Sequence, residues 1–119
     1  MNGKGEAYEE QAAEFLKAAG FEIVDRNWSC PMGELDIVAR KADLLVFAEV
    51  RARSNPGYGT PADSVTPAKR AKIVKAAMAY IKARRPGAGE YRFDVIAIVP
   101  GGEPEHIEEA FTADGAGFF

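Results

Sequence analysis

Two acids and a base are set apart by type and spacing: Asp36, Glu49 and, two residues further on, Arg51. Glu49 and Arg51 close an apolar run, LLVFAEVR over residues 44–51. Strand alternation puts these two on one face and Val50 on the other. Asp36 lies in the preceding strand-like run, and neighbours across a hairpin are roughly 5 Å apart, so the two carboxylates can converge. Two carboxylates and a backbone carbonyl, that of Val50, are hard oxygen donors of the kind that Mg²⁺ or Mn²⁺ takes. A cation so held activates water and steadies the charge on a phosphate in transfer, and Arg51 would add a fixed positive charge. Charges at the end of an apolar central strand are costly to bury unless paired or metal-bound. On spacing alone a plainer reading leads, in which Glu49 pairs with Arg51 or Arg53 and Asp36 is solvated at a strand end.

The elements that must position these residues follow from periodicity. Tyr8, Ala12, Phe15, Leu16 and Ala19 recur at helical spacing before Gly20, which predicts an amphipathic helix over 5–19. Residues 21–24 read as a strand ending near Arg26-Asn27, and WSCPMG (28–33) reads as a loop. The runs 34–40 and 44–51, separated by Lys41-Ala42-Asp43, predict a hairpin whose second strand is packed on both sides. Residues 54–67, with four prolines or glycines before Pro67, read as a loop. A second helix is expected over 68–84, with Ile73, Val74, Ala77, Tyr80 and Ile81 on one face. Lys72, Lys75 and Lys82 lie opposite, with Lys69 at the edge. RFDVIAIV (92–99) is a buried strand, residues 106–111 add a short strand or turn, and the tail 112–119 is expected to be loose. The fold class is α/β: a mixed sheet flanked by helices, in the order helix, strand, strand, strand, helix, strand.

The 119 residues fit a single domain with a core of its own. One cysteine, Cys30, forms no internal disulfide, and one histidine, His106, builds no multi-histidine metal site. No apolar run approaches a membrane span, and the acidic N-terminus lacks a signal core, so a cytoplasmic, bacterial-type protein is the simplest reading. The net charge of −3 counts against an indiscriminate nucleic-acid binder. The charge is uneven, however: residues 67–92 hold eight Lys or Arg against Glu90. That patch is a candidate phosphate-binding face, with Lys69, Lys72, Lys75 and Arg53 as its residues, or else a solvated helix side.

Several motifs stand together: Glu9-Glu10-Gln11-Ala12 with Phe15-Leu16 and Gly20-Phe21; Arg26-Asn27; Gly33-Glu34-Leu35-Asp36-Ile37-Val38; Val46 through Arg53; Tyr58-Gly59; Val65-Thr66 with Lys69; and Arg92-Phe93-Asp94-Val95. Across residues 5–111 this set closely resembles the YraN-like family of uncharacterised bacterial proteins (uncharacterised protein family 0102). That family looks like a member of the restriction-endonuclease-like superfamily and is similar to archaeal Holliday-junction resolvases. The resemblance implies a restriction-endonuclease-like mixed sheet and a Mg²⁺- or Mn²⁺-dependent endonuclease for structured or branched DNA. It assigns metal binding to Asp36, Glu49, the Val50 carbonyl and Glu9, and catalysis to these acids with Arg51. A homodimer is implied at the family level. Glu34 is expected to be supporting or structural. Arg51 stands where the superfamily usually has lysine. Arginine stays protonated, so it can act electrostatically but not by proton exchange. Lys69 is a candidate to replace the missing ammonium. The alternative is a catalytically inactive nucleic-acid-binding or protein-interaction module on a nuclease scaffold.

Other residues carry weaker chemistry. Trp28 reads as core or rim packing before base stacking. Cys30 has no base partner nearby in sequence, and His106 reads as an exposed polar turn. Gly57-Tyr58-Gly59 is too loose for a phosphate cradle. Asp94 is expected to pair with Arg92 or a helix end.

Overall fold

The computed structural model describes residues 3–52 and 61–113. The first helix, α1, spans Gly3–Ala18; of the expected face it buries Ala12 and Leu16, with Ala13 added, while Ala19 is exposed beyond its end. Gly20 ends it with φ 97°, where a side chain would be strained. There the Gly20 N–H bonds Lys17 O and the Phe21 N–H bonds Leu16 O, a Schellman closure that swings Phe21 onto the core beside Leu16. Three strands follow as a meander: β1 (Glu22–Cys30), β2 (Gly33–Lys41) and β3 (Leu44–Ala52). A short 3₁₀ turn, Pro61–Ser64, leads to α2 (Pro67–Arg84), then β4 (Glu90–Ile98) and β5 (Glu105–Phe111).

The sheet runs in the order β1-β2-β3-β4-β5. All pairs are antiparallel except β3 with β4, the parallel seam that the crossover through α2 requires. Along β3, Leu45 and Phe47 face the layer under α2. Val46, Ala48 and Val50 face the layer under α1. The sheet is therefore covered on both faces, which is why β3 is nearly all apolar up to Glu49. This mixed sheet flanked by helices is the α/β, restriction-endonuclease-like arrangement expected, with one strand more than the expected order, since 105–111 is a full strand. No helix among the described residues is long and apolar enough to cross a membrane.

Two features differ from expectation, the end of β1 and the setting of His106. The segment 28–30, read as loop, is the last part of β1, and only Pro31-Met32 form the turn. Asn27, at φ 53°, breaks the alternation of β1, so the apolar periodicity vanishes from the sequence just where the strand continues. Trp28 packs edge-on against Tyr80 at 5.3 Å, which makes it a core-facing strand residue. His106 is not on an exposed turn. It is a partly buried residue of β5 whose Nε2 lies 2.7 Å from Asp94 Oδ2. At the tail, Ala113 still packs against the core, while 114–119, Tyr58-Gly59 and Arg53 lie outside the described residues.

Candidate active site

The site begins with a local failure of strand pairing. The β2–β3 ladder ends at Ile37↔Ala48, one step before Asp36 and Glu49 would face each other. On its other side β2 pairs with β1 at Arg26↔Ile37 and then Trp28↔Leu35, stepping over Asn27 and Asp36 together. The facing of β2 slips there, since Leu35 and Val38 both enter the layer under α2 while Ile37 enters the other. The two strands part at Asp36, and its side chain replaces the lost ladder bond: Asp36 Oδ2 accepts the Val50 N–H at 2.9 Å. This fixes the Asp36 carboxylate across the opening from β3 and leaves Glu49 beside it.

Glu49 is 6% exposed. Burial pushes its pKa up to about 7, aided by the Asp36 charge and a hydrogen bond with the Asp36 carboxyl, and opposed by Lys69 and Arg51. Lys69 Nζ lies 3.4 Å from Glu49 Oε1, and Arg51 Nη2 lies 3.8 Å from the same atom. Lys69 owes its place to the start of α2. Thr66 caps the helix by accepting the Lys69 N–H at 3.2 Å, and Pro67 opens the first turn. Arg51 is more deeply buried than Lys69. Its Nε is buried with no hydrogen-bond partner among the described residues.

Glu9 reaches the same end of the sheet from α1. It is 7% exposed, and burial raises its pKa, opposed by a hydrogen bond from the Asn27 side chain and reinforced by the Asp36 charge. Its Oε1 is buried without a hydrogen bond among the described residues. Two depressions flank the Asp36–Glu49 pair. The smaller, about 220 Å³, is lined by Tyr8, Glu9, Val50 and Arg51; the larger, about 490 Å³, by Gly33, Glu34, Thr66, Lys69, Lys72 and Ile73. Asp36, Glu49 and Lys69 border both.

Most of the expected site residues thus meet at one end of the sheet. Asp36, Glu49, Arg51, Lys69 and Lys72 share the cleft, Val50 forms its wall, and Glu9 faces it from α1. Glu9 does not close up with the other acids: among the described residues no three His, Cys, Asp or Glu side chains stand close enough to hold a metal together. Lys75 is exposed further along α2 and does not line the cleft. The sequence reading missed the Asn27 contact to Glu9 and the Asp36 bond to the Val50 N–H. The Arg26-Asn27 motif was the available signal for the first. The second had none, because it depends on where a ladder stops.

The family model described as uncharacterised protein family UPF0102 matches residues 8–98. A UPF0102 protein of Myxococcus xanthus is 47% identical over 112 residues, covering 92% of this chain and 89% of that one. A UPF0102 protein of Rhodococcus opacus is 43% identical over 107 residues, covering 87% and 91%. One from Dictyoglomus turgidum is 40% identical over 118 residues, covering 93% of this chain and all of that one.

Proposed function

The chain belongs to the uncharacterised protein family UPF0102, and on that footing we propose that it is a divalent-metal-dependent endonuclease acting on structured or branched DNA. The observation that carries the reading is Glu49, a nearly inaccessible carboxylate set against a second carboxylate, Asp36, with its pKa pushed up to about 7. Burying an acid beside a second, half-buried one is costly for stability alone. A divalent cation relieves the repulsion, and perturbed carboxylates in a cleft favour a functional site over a structural one.

The donor chemistry fits Mg²⁺ or Mn²⁺. Asp36 and Glu49 would supply the first oxygens and the Val50 carbonyl a third, and Glu9 would bring a buried oxygen that lacks a partner among the described residues. Glu9 acts from α1 without joining a tight three-acid cluster. When bound, such a cation supplies an activated water and stabilises charge on a phosphate. The chain's own cations do the rest. Lys69 and Lys72 border the larger depression beside the start of α2, where their positive charge and that of the helix N-terminus favour a phosphate. Lys75, exposed further along α2, extends that face along the DNA. Arg51, anchored beside Glu49, holds a permanent charge near the scissile phosphate and takes no part in proton transfer. Two copies related by a two-fold axis would cut two strands symmetrically.

Titration calorimetry with Mn²⁺ on the wild type, D36N and E49Q tests the site. Binding is expected in the wild type and lost in both variants. Cleavage of junctions, flaps and single strands in Mn²⁺ tests the activity. A wild-type protein that binds no divalent cation sinks the metal reading. Salt-dependent DNA binding with no cleavage, unchanged in D36N, would favour the inactive nucleic-acid-binding module. The observation pointing that way is Arg51 where lysine is usual.

A further inference from the structure

Lys69 occupies a position that phosphate contact alone does not explain. With Asp36 and Glu49 it borders both depressions, so it stands at the junction of the acid pair and the larger cleft. It approaches the buried Glu49 carboxylate more closely than Arg51 does, 3.4 against 3.8 Å. Yet its side chain is 46% exposed, and it rides on a flexible four-carbon stem from a backbone fixed by the Thr66 cap. Arg51 is more buried, and its Nε is enclosed, so it cannot move away from the acids in the same manner. Lys72 lines the larger depression, where an ammonium leaving Glu49 would join it.

We propose that Lys69 is an exchangeable counter-cation. In the metal-free protein its ammonium compensates the Asp36–Glu49 pair; when a divalent cation takes those oxygens, the ammonium is released toward the larger depression to meet a phosphate. The inference rests on the metal-site reading above and assigns that site a built-in coupling. An ammonium and a divalent cation on the same carboxylate repel, so Lys69 competes with the metal. Once displaced, Lys69 is free for the nucleic acid, so metal and DNA strengthen one another's binding. Such coupling is reciprocal by thermodynamic necessity.

The test compares wild type with K69M, which keeps the stem and removes the charge, and with K69R. Mn²⁺ binding is read by calorimetry with no nucleic acid present. The affinity of a labelled branched oligonucleotide is read by anisotropy, in EDTA and in Ca²⁺. The expected signature has opposite signs: K69M binds Mn²⁺ at least three-fold tighter than wild type, yet loses most of the Ca²⁺-dependent gain in DNA affinity. K69R, which keeps the charge, stays within two-fold of wild type for Mn²⁺. Melting curves confirm that each variant is folded; should K69M be unfolded, K69Q serves in its place. If the wild type binds Mn²⁺ and the neutral variant binds it no better, the exchange idea is wrong while the metal site stands. Weaker Mn²⁺ binding in the neutral variant would make Lys69 a structural partner and also overturn it. If no variant and no wild type binds Mn²⁺, the metal reading and the exchange both fall.

Discussion

Two buried carboxylates sit one register step apart on neighbouring strands, and their surroundings are opposite. Asp94 is paired with Ala48 in the parallel seam, and Glu49, the next residue of β3, is paired with Val95. Asp94 is fully inaccessible and saturated. Arg92 donates to it from Nε at 2.9 Å and from Nη2 at 2.8 Å, His106 Nε2 lies 2.7 Å away, and the Glu109 N–H donates at 3.0 Å. Burial alone would raise its pKa, but the hydrogen bonds from His106, Arg92 and Glu109 outweigh it and the pKa is lowered. Glu49, nearly as buried, has a second acid beside it and its pKa goes up. Each region repairs a break in the sheet with a carboxylate: Asp36 takes the Val50 N–H where β2 leaves β3, and Asp94 takes the Glu109 N–H where the β4–β5 register shifts. The difference lies in what remains after the repair. At Asp94 every charge is matched inside the chain. At Asp36–Glu49 the nearby Lys69 and Arg51 offset the acids only in part, the Glu49 pKa stays raised, and an external cation has something to gain there.

The comparison can be broken most sharply at Asp94. D94A leaves the Arg92 guanidinium without its buried partner, and a loss of about 3–5 kcal/mol is expected by urea unfolding at neutral pH. Because the folded pKa of Asp94 lies below its ordinary value, that stabilisation is full above about pH 4 and fades as pH falls further, so wild type and D94A should converge in acid. Glu49 predicts the reverse sign. Its folded pKa is raised, so its destabilising effect grows as pH climbs from 4.5 through about 7 and is complete above. In EDTA at pH 8, E49Q should therefore be more stable than wild type by up to about 3 kcal/mol, with no gain at pH 4. Equal or lower stability of E49Q at pH 8 would remove the contrast. H106A takes one donor from Asp94 and should cost about 1.5–3 kcal/mol in the same unfolding assay, with the cleft's Mn²⁺ affinity unchanged. The smallest effect is expected from T66A. Loss of the cap costs about 1 kcal/mol and loosens the backbone that aims Lys69, so DNA affinity should fall modestly while the melting point drops only a few degrees.

Much of this was legible from residue types alone. The two helices followed from spacing, and the end of the first from Gly20, and the β2–β3 hairpin from two apolar runs around a three-residue turn. Asp36, Glu49 and Arg51 were visible as charges where apolar residues belong, and Arg92 and Asp94 as same-face neighbours on one strand. What could not be read depends on long-range placement. Lys69 meets Glu49, and His106 meets Asp94, only after the chain has crossed the sheet or turned back along it. The last third of β1 was hidden because Asn27 adopts positive φ and destroys the alternation on which the strand would be recognised. Glu9 was legible as a family position, yet its distance from the other acids is set by how α1 docks through Ala12, Ala13 and Leu16, which no local pattern specifies.

The parallel seam between β3 and β4 has a consequence for the order of assembly. β1, β2 and β3 are joined by short turns and can pair early, whereas β3 and β4 must wait for the crossover through α2 to close. Asp36 and Glu49 both lie on the early meander; Lys69 belongs to the late crossover. A meander that pairs first would bring its two acids together before their compensating ammonium arrives. Folding is then expected to be faster at pH 5 than at pH 8 in the wild type, and nearly insensitive to pH over that range in E49Q, a difference that stopped-flow refolding in EDTA would read directly.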